Sequence, residues 1–196
     1  MLLQWAVQYL EEFQAANELL PNFQEPVQFV QRWNSPPISV FKFNVDGAVF
    51  AKLNSVGVGV IVRDWNGHFV AATCRKIHAP LGPLEAEAKA VEFGLQFAKQ
   101  LGITDLILES DSLIVSRALN LSFSAPVSID AVIMGIGKAS LEFNNVGFSH
   151  VKRNANIPSH LLAKYAMGIV DQCLWMKYCP GFLELAILHD VNDIVV

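Results

Sequence analysis

Phe41-Lys42-Phe43-Asn44-Val45-Asp46-Gly47-Ala48 alternates apolar and polar side chains until it reaches an acid. Phe41, Phe43 and Val45 share one face and Lys42, Asn44 and Asp46 the other, the period-2 pattern of a strand. Asp46 is thereby placed at a strand end, just before Gly47. A plain turn role would account for an Asp-Gly pair as well.

Working outward toward the C-terminus, residues 56–63 and 69–76 are β-rich runs joined by Asp64-Trp65-Asn66-Gly67. Asn-Gly between two such runs is a hairpin signal, so three consecutive antiparallel strands are predicted. From residue 84 to 101 the period becomes helical, and Gly102 stands where a helix terminates. On the helical wheel Glu87 falls with Ala90, Val91, Gly94, Leu95, Ala98 and Leu101 on the apolar stripe, whereas Glu85 falls with Lys89, Glu92, Gln96 and Lys99 on the polar one. Glu85 reads as solvated. Glu87 points inward, where an unpaired charge is costly and a partner is required. A strand over 104–109 and a helix over 112–120 follow, and Asp111 lies at the handover between them. Strand ends of α/β sheets are where sites form, although a helix-capping role is the plain alternative for Asp111. A helix over 126–142, a strand over 147–152 and a helix over 158–177, with Pro158 suited to its first turn, complete the series. The order βββαβααβα predicts an α/β fold with a mixed sheet.

Toward the N-terminus, residues 2–20 form an amphipathic helical candidate carrying Trp5, Leu10, Phe13, Ala16 and Leu20. Pro21, Pro26, Pro36 and Pro37 mark a linker. The organisation read from these features is a helix and linker over 1–39, a main domain over 40–178 and an apolar tail over 179–196.

The 196 residues are 53% hydrophobic and 16% charged, enough for one substantial core. A net charge of −4 means that any attraction to nucleic acid must come from a local patch or from metal ions. Cys74, Cys173 and Cys179 are odd in number and lack CxxC spacing, which argues against a zinc module or a disulfide framework and for a reducing compartment. The first twelve residues have no basic region ahead of Glu11 and Glu12, unlike a secretory signal. No apolar run approaches the roughly 20 residues that span a bilayer. A soluble intracellular protein is therefore expected, nuclear or cytoplasmic. Gly57-Val58-Gly59 sits in a strand pattern with no helix after it, so it is no phosphate loop; strand glycines mark close backbone approach. Ser110-Asp111-Ser112 lacks the G-x-S-x-G elbow of serine hydrolases. His68 and His78 flank turns and read as exposed.

Taken together, Asn44-Val45-Asp46-Gly47-Ala48, Ala86-Glu87-Ala88, Glu109-Ser110-Asp111-Ser112 and His150-Val151-Lys152-Arg153, followed by Asn156 and Leu162-Ala163-Lys164, resemble the ribonuclease H-like domain of plant non-LTR-retrotransposon type, a relative of type 1 ribonuclease H. The likeness extends over about residues 33–190. It implies a five-stranded mixed sheet, strands one to three antiparallel, with helices on both faces. It also implies that Asp46, Glu87 and Asp111 bind Mg²⁺, with Mn²⁺ as a substitute, and that Gly47, Ala48, Asn54, Ser55 and Asn156 lie near a bound nucleic-acid strand. The family's fourth acid is replaced here by His160, a poor direct ligand for Mg²⁺. Neither the longer His-bearing loop nor the basic substrate-handling segment of bacterial relatives is present.

The implied activity is Mg²⁺-dependent endonucleolytic hydrolysis of the RNA strand of RNA/DNA hybrids. Two ions about 4 Å apart would activate water and stabilise the leaving oxygen, with Asp46 bridging, Glu87 on the leaving-group side, Asp111 on the water side and His160 acting through water or by protonating the leaving group. Before any metal binds, the three acids repel one another, which raises the pKa of at least one. The rival is a catalytically weak or inactive module that binds nucleic acid or a protein partner, supported by His160, the acidic charge and the missing basic segment. A 3′-to-5′ exonuclease of similar topology would need an Asp-x-Glu start that is absent. A monomer is expected, with an upstream reverse-transcriptase-type region if the chain is part of a polyprotein.

Overall fold

The structure, a computed structural model, describes residues 33–191, so the helix read over 2–20 lies outside the described residues. β1 (Phe41–Phe50), β2 (Ser55–Arg63) and β3 (Phe69–Ile77) are followed by α1 (Pro83–Leu101), β4 (Asp105–Ser110), α2 (Leu113–Leu119), α3 (Val127–Ser140), β5 (Asn145–His150), α4 (Ile157–Tyr165), β6 (Gln172–Met176) and α5 (Gly181–Val191). The strands form one sheet in the order β5-β4-β1-β2-β3-β6. β1, β2 and β3 are antiparallel neighbours, as their short connections require, while β4 and β5 are parallel to β1.

Each face of the sheet buries its own core. Phe43, Val45, Val58, Val60 and Val62 pack against Val91, Leu95 and Ala98 of α1, with Ile129 and Ile136 of α3 behind them. Ala48, Phe50, Ile61 and Ala72 pack against Leu161, Leu162 and Ala163 of α4 and against Leu183 and Ala186 of α5. Each large apolar side chain buried in this way contributes about 1.5–3 kcal/mol.

The sheet departs from the sequence-based expectation in two places. It has six strands, not five, because the stretch read as one helix over 158–177 divides: α4 ends at Tyr165, and Gln172–Met176 pairs antiparallel with β3. A short apolar run is ambiguous between helix and strand by periodicity alone, and the open edge of β3 decides it. β1 continues past Asp46 to Phe50 because Gly47, Ala48, Val49 and Phe50 go on pairing with β2. The apolar tail contains α5, which its buried Leu183 ties to the core.

Gly59 shows why α4 lies so close to the sheet. A Cβ there would meet the Ser159 carbonyl oxygen at 2.5 Å as well as the Ala163 nitrogen. The strand glycines thus mark the approach of helix backbone, as their position inside a strand pattern suggests. Gly59→Ala is expected to lower stability by roughly 1–3 kcal/mol in urea denaturation, the usual cost of overpacking. An unchanged midpoint would be incompatible with this contact.

Candidate active site

Asp46 is set by β1, and its neighbours are set by what packs around that strand. The parallel pairing of β1 with β4 ends at Val45 opposite Ser110. Asp46 and Asp111 therefore leave the paired region side by side. The turn reading of Asp46 falls away, since the strand runs on. So does the capping reading of Asp111, because Ser112 is the cap of α2 and accepts the Val115 N–H.

Glu87 arrives from the helix side. Gly47 lets α1 approach β1: a Cβ there would lie 2.5 Å from the Ala86 carbonyl carbon. That close approach places Glu87 beside Asp46, with carboxylate oxygens of the two within 4.8 Å. Ser110 Oγ donates to Glu87 Oε2 at 3.4 Å. Glu85, two residues earlier, instead turns back to accept the Gly82 N–H at 2.5 Å and closes the helix start. The helical wheel put Glu87 on the strand-facing side, as found, but Glu85 is half-buried and not solvated, because its carboxylate folds back onto the helix start. Oxygen atoms of Asp46, Glu87 and Asp111 lie within 4.8 Å of one another.

His160 joins the cluster from α4. Its Nδ1–H donates to Asp46 Oδ2 at 2.6 Å, in a pair that is almost wholly buried. Arg153 Nη2 lies 3.1 Å from both ring nitrogens of His160, and Nη1 lies 3.9 Å from Asp111 Oδ2. Arg153 is the group that the sequence-based assignment of site residues passed over, although it stands in the quoted run His150-Val151-Lys152-Arg153. The signal available was a cation placed just after a strand whose neighbour ends in an acid.

Of the five positions expected near a nucleic-acid strand, Asn54 is exposed and Gly47 half-buried. Ala48, Ser55 and Asn156 are buried. Asn156 Nδ2 donates to the Val45 carbonyl at 2.9 Å, so this side chain fastens the start of α4 to β1 and does not face a ligand. His68 and His78 are exposed, as read.

The electrostatics follow from crowding. Burial, then the Asp46 and Asp111 carboxylates, pushes the Glu87 carboxyl up to about 10. Burial and Asp46 also raise Asp111, while Arg153 and His160 pull it back. A hard divalent cation fits this donor set, because it would find only carboxylate oxygens and would supply the positive charge that three ionised acids lack.

A family model described as Reverse transcriptase-like matches residues 44–166, from β1 through α4. The chain belongs to that family. Its fold is ribonuclease H-like. RNase H1 from the halophilic archaeon Halobacterium salinarum is 23% identical, with a TM-score of 0.61 over 65% of this chain and 96% of that one. LC11-RNase H1, from compost by a metagenomic approach and solved in complex with RNA/DNA hybrid, is 19% identical, with a TM-score of 0.59 over 64% of this chain and 95% of its own. The foamy viral protease-reverse transcriptase in complex with dsDNA is 18% identical, with a TM-score of 0.57 over 69% of this chain and 99% of that one. No curated protein matches the chain in sequence. Among the described residues, no helix of this ribonuclease H-like protein is long and apolar enough to cross a membrane.

The raised Glu87 carboxyl makes stability depend on pH with a definite sign. The unfolded carboxyl titrates near 4.5 and the folded one at about 10, so between these values the folded state holds more protons. Stability contributed by this group is therefore lost as pH rises through that window. In the presence of a chelator, the thermal midpoint of the wild-type protein should fall from about pH 5 to about pH 8, and Glu87→Gln should flatten the slope and stabilise the protein at the upper end by roughly 1–3 kcal/mol. Parallel slopes for the two proteins would mean that Glu87 is not held in this environment.

Proposed function

We propose that the protein is a Mg²⁺-dependent hydrolase that cuts the RNA strand of RNA/DNA hybrids internally. The observation that carries this reading is the convergence of three carboxylates from β1, α1 and the end of β4 in a chain of the ribonuclease H-like family. Asp46, Glu87 and Asp111 would hold the cation, which when bound supplies Lewis-acid polarisation of the phosphodiester and lowers the pKa of a coordinated water.

The chain's own side chains have separable tasks in this reading. His160 fixes the orientation of the Asp46 carboxylate through the 2.6 Å hydrogen bond. Arg153 is exposed beside Asp111 and offers a guanidinium fork to a phosphate oxygen, partly offsetting the repulsion between the acids and the nucleic-acid backbone. Choice of an RNA strand requires contacts to 2′-hydroxyls, because phosphate contacts alone do not distinguish RNA from DNA. Asn54 and the Gly47 backbone are the members of the anticipated contact set that reach the surface and are assigned to it. The hydrolase unit is assigned to residues 40–178, against which α5 packs.

A second reading, a catalytically inert module that binds nucleic acid or a protein partner, is favoured by the same His160 contact, since a histidine fills a place beside Asp46 that the resemblance gives to an acid. One assay separates them. Purified protein with labelled RNA/DNA hybrid and Mg²⁺ should cleave the RNA strand, and Asp46→Asn should lower the rate at least about 100-fold, equivalent to roughly 2.7 kcal/mol of transition-state stabilisation. Equal cleavage by both proteins would point to a contaminating nuclease, and hybrid binding without cleavage by either would select the inert module.

A further inference from the structure

A carboxylate that bridges two cations shares its oxygen lone pairs between them, so a hydrogen bond already accepted by one oxygen competes with the second cation. Asp46 is the acid best placed to bridge, being central to the cluster, and its Oδ2 already accepts the His160 Nδ1–H at 2.6 Å. The imidazole is not a loose surface group. It is 6% exposed, and Arg153 Nη2 lies 3.1 Å from each of its nitrogens. The backbone that carries it is fixed as well. Asn156 ties the start of α4 to the Val45 carbonyl, one residue before Asp46, and the glycines of β2 leave α4 in direct contact with the sheet.

Charge leads to the same result by a separate route. Once a cation displaces the Glu87 proton, three carboxylates and one guanidinium, with Arg153 Nη1 at 3.9 Å from Asp111 Oδ2, leave a deficit that one divalent cation neutralises and two would exceed. Donor count agrees, because the side of Asp46 facing α4 offers nitrogen and N–H groups, which a hard cation such as Mg²⁺ does not take in place of oxygen.

We infer that this site takes a single divalent cation, held by Asp46, Glu87 and Asp111, with His160 and Arg153 occupying the side of Asp46 where a second cation would need its ligands. The inference rests on the metal-dependent reading above and replaces the paired-ion arrangement that the family resemblance implies. His160 is a positioning residue here: it acts through Asp46 and touches no reacting atom.

Calorimetric titration of the metal-free full chain with Mn²⁺ tests this without reference to turnover. The wild-type protein should bind one equivalent. His160→Asp, which exchanges the hydrogen-bond donor for a carboxylate, should bind two, and His160→Asn, which adds no charge, should remain at one. Two equivalents in the wild-type protein would overturn the single-ion inference and leave the metal-dependent function standing. A single equivalent in a folded His160→Asp variant would show that His160 does not set the count. No binding by any of the three would overturn both the inference and the proposed function.

Discussion

A carboxylate buried in the middle of the central strand is the constraint around which this protein is arranged. Asp46 is 1% exposed and belongs to a row, Lys42, Asn44 and Asp46, that puts polar groups on a covered face of β1. Such groups are tolerated only when each has a partner. Lys42 pairs with Glu109 at 2.7 Å, and Asn44 donates to Glu109 while accepting from Trp33 Nε1 and Arg63 Nη2. Trp33 closes over this cluster, with the Arg63 guanidinium 3.9 Å from its ring centroid. The lead-in to the domain is thus a lid on a buried polar network that shares its face of β1 with Asp46.

The elements that meet Asp46 come from both faces of the sheet. α1 delivers Glu87 because Gly47 has no side chain to keep it away, and α4 delivers His160 because β2 presents glycines where the helix passes. β4 delivers Asp111 because its parallel pairing with β1 ends one residue before both acids. A change at any of these contacts would act on the site by moving an acid or His160, with no change in the chemistry of the side chains. The two glycine approaches also explain how helices on opposite faces can converge on one strand. Without them, ordinary side chains would hold each helix farther from the sheet.

Much of this was legible in the sequence because the informative residues break local rules. Glu87 is visible as an acid on an apolar stripe, and Asp111 as an acid at a strand-to-helix handover. The hairpin of β2 and β3 is announced by Asn66-Gly67. The parts that were not legible depend on partners far away in the chain. β6 is a strand because β3 has an open edge about a hundred residues earlier, as the Cys74 to Cys173 pairing shows. Asn156 resembles a surface polar residue until the Val45 carbonyl is seen to need it. Nothing local in the sequence signals that Arg63, at the end of a strand and before a turn, is fully buried under Trp33.

The three acids are consequently unequal, and the inequality follows from which elements supply hydrogen-bond donors and cations. Asp46 receives His160 from α4, and Asp111 receives Arg153 from the connection before α4. Both compensating groups therefore come from one side of the sheet. Glu87, delivered from the other side, is acted on by burial and by two carboxylates, and no cation is among the groups that shift it. A single divalent cation that joined Asp46, Glu87 and Asp111 would bring positive charge to the acid that the fold leaves without any, displacing the proton Glu87 otherwise holds. The electrostatic demand is thus uneven: Asp46 has the His160 hydrogen bond, and Glu87 is the acid to which a divalent cation would add most.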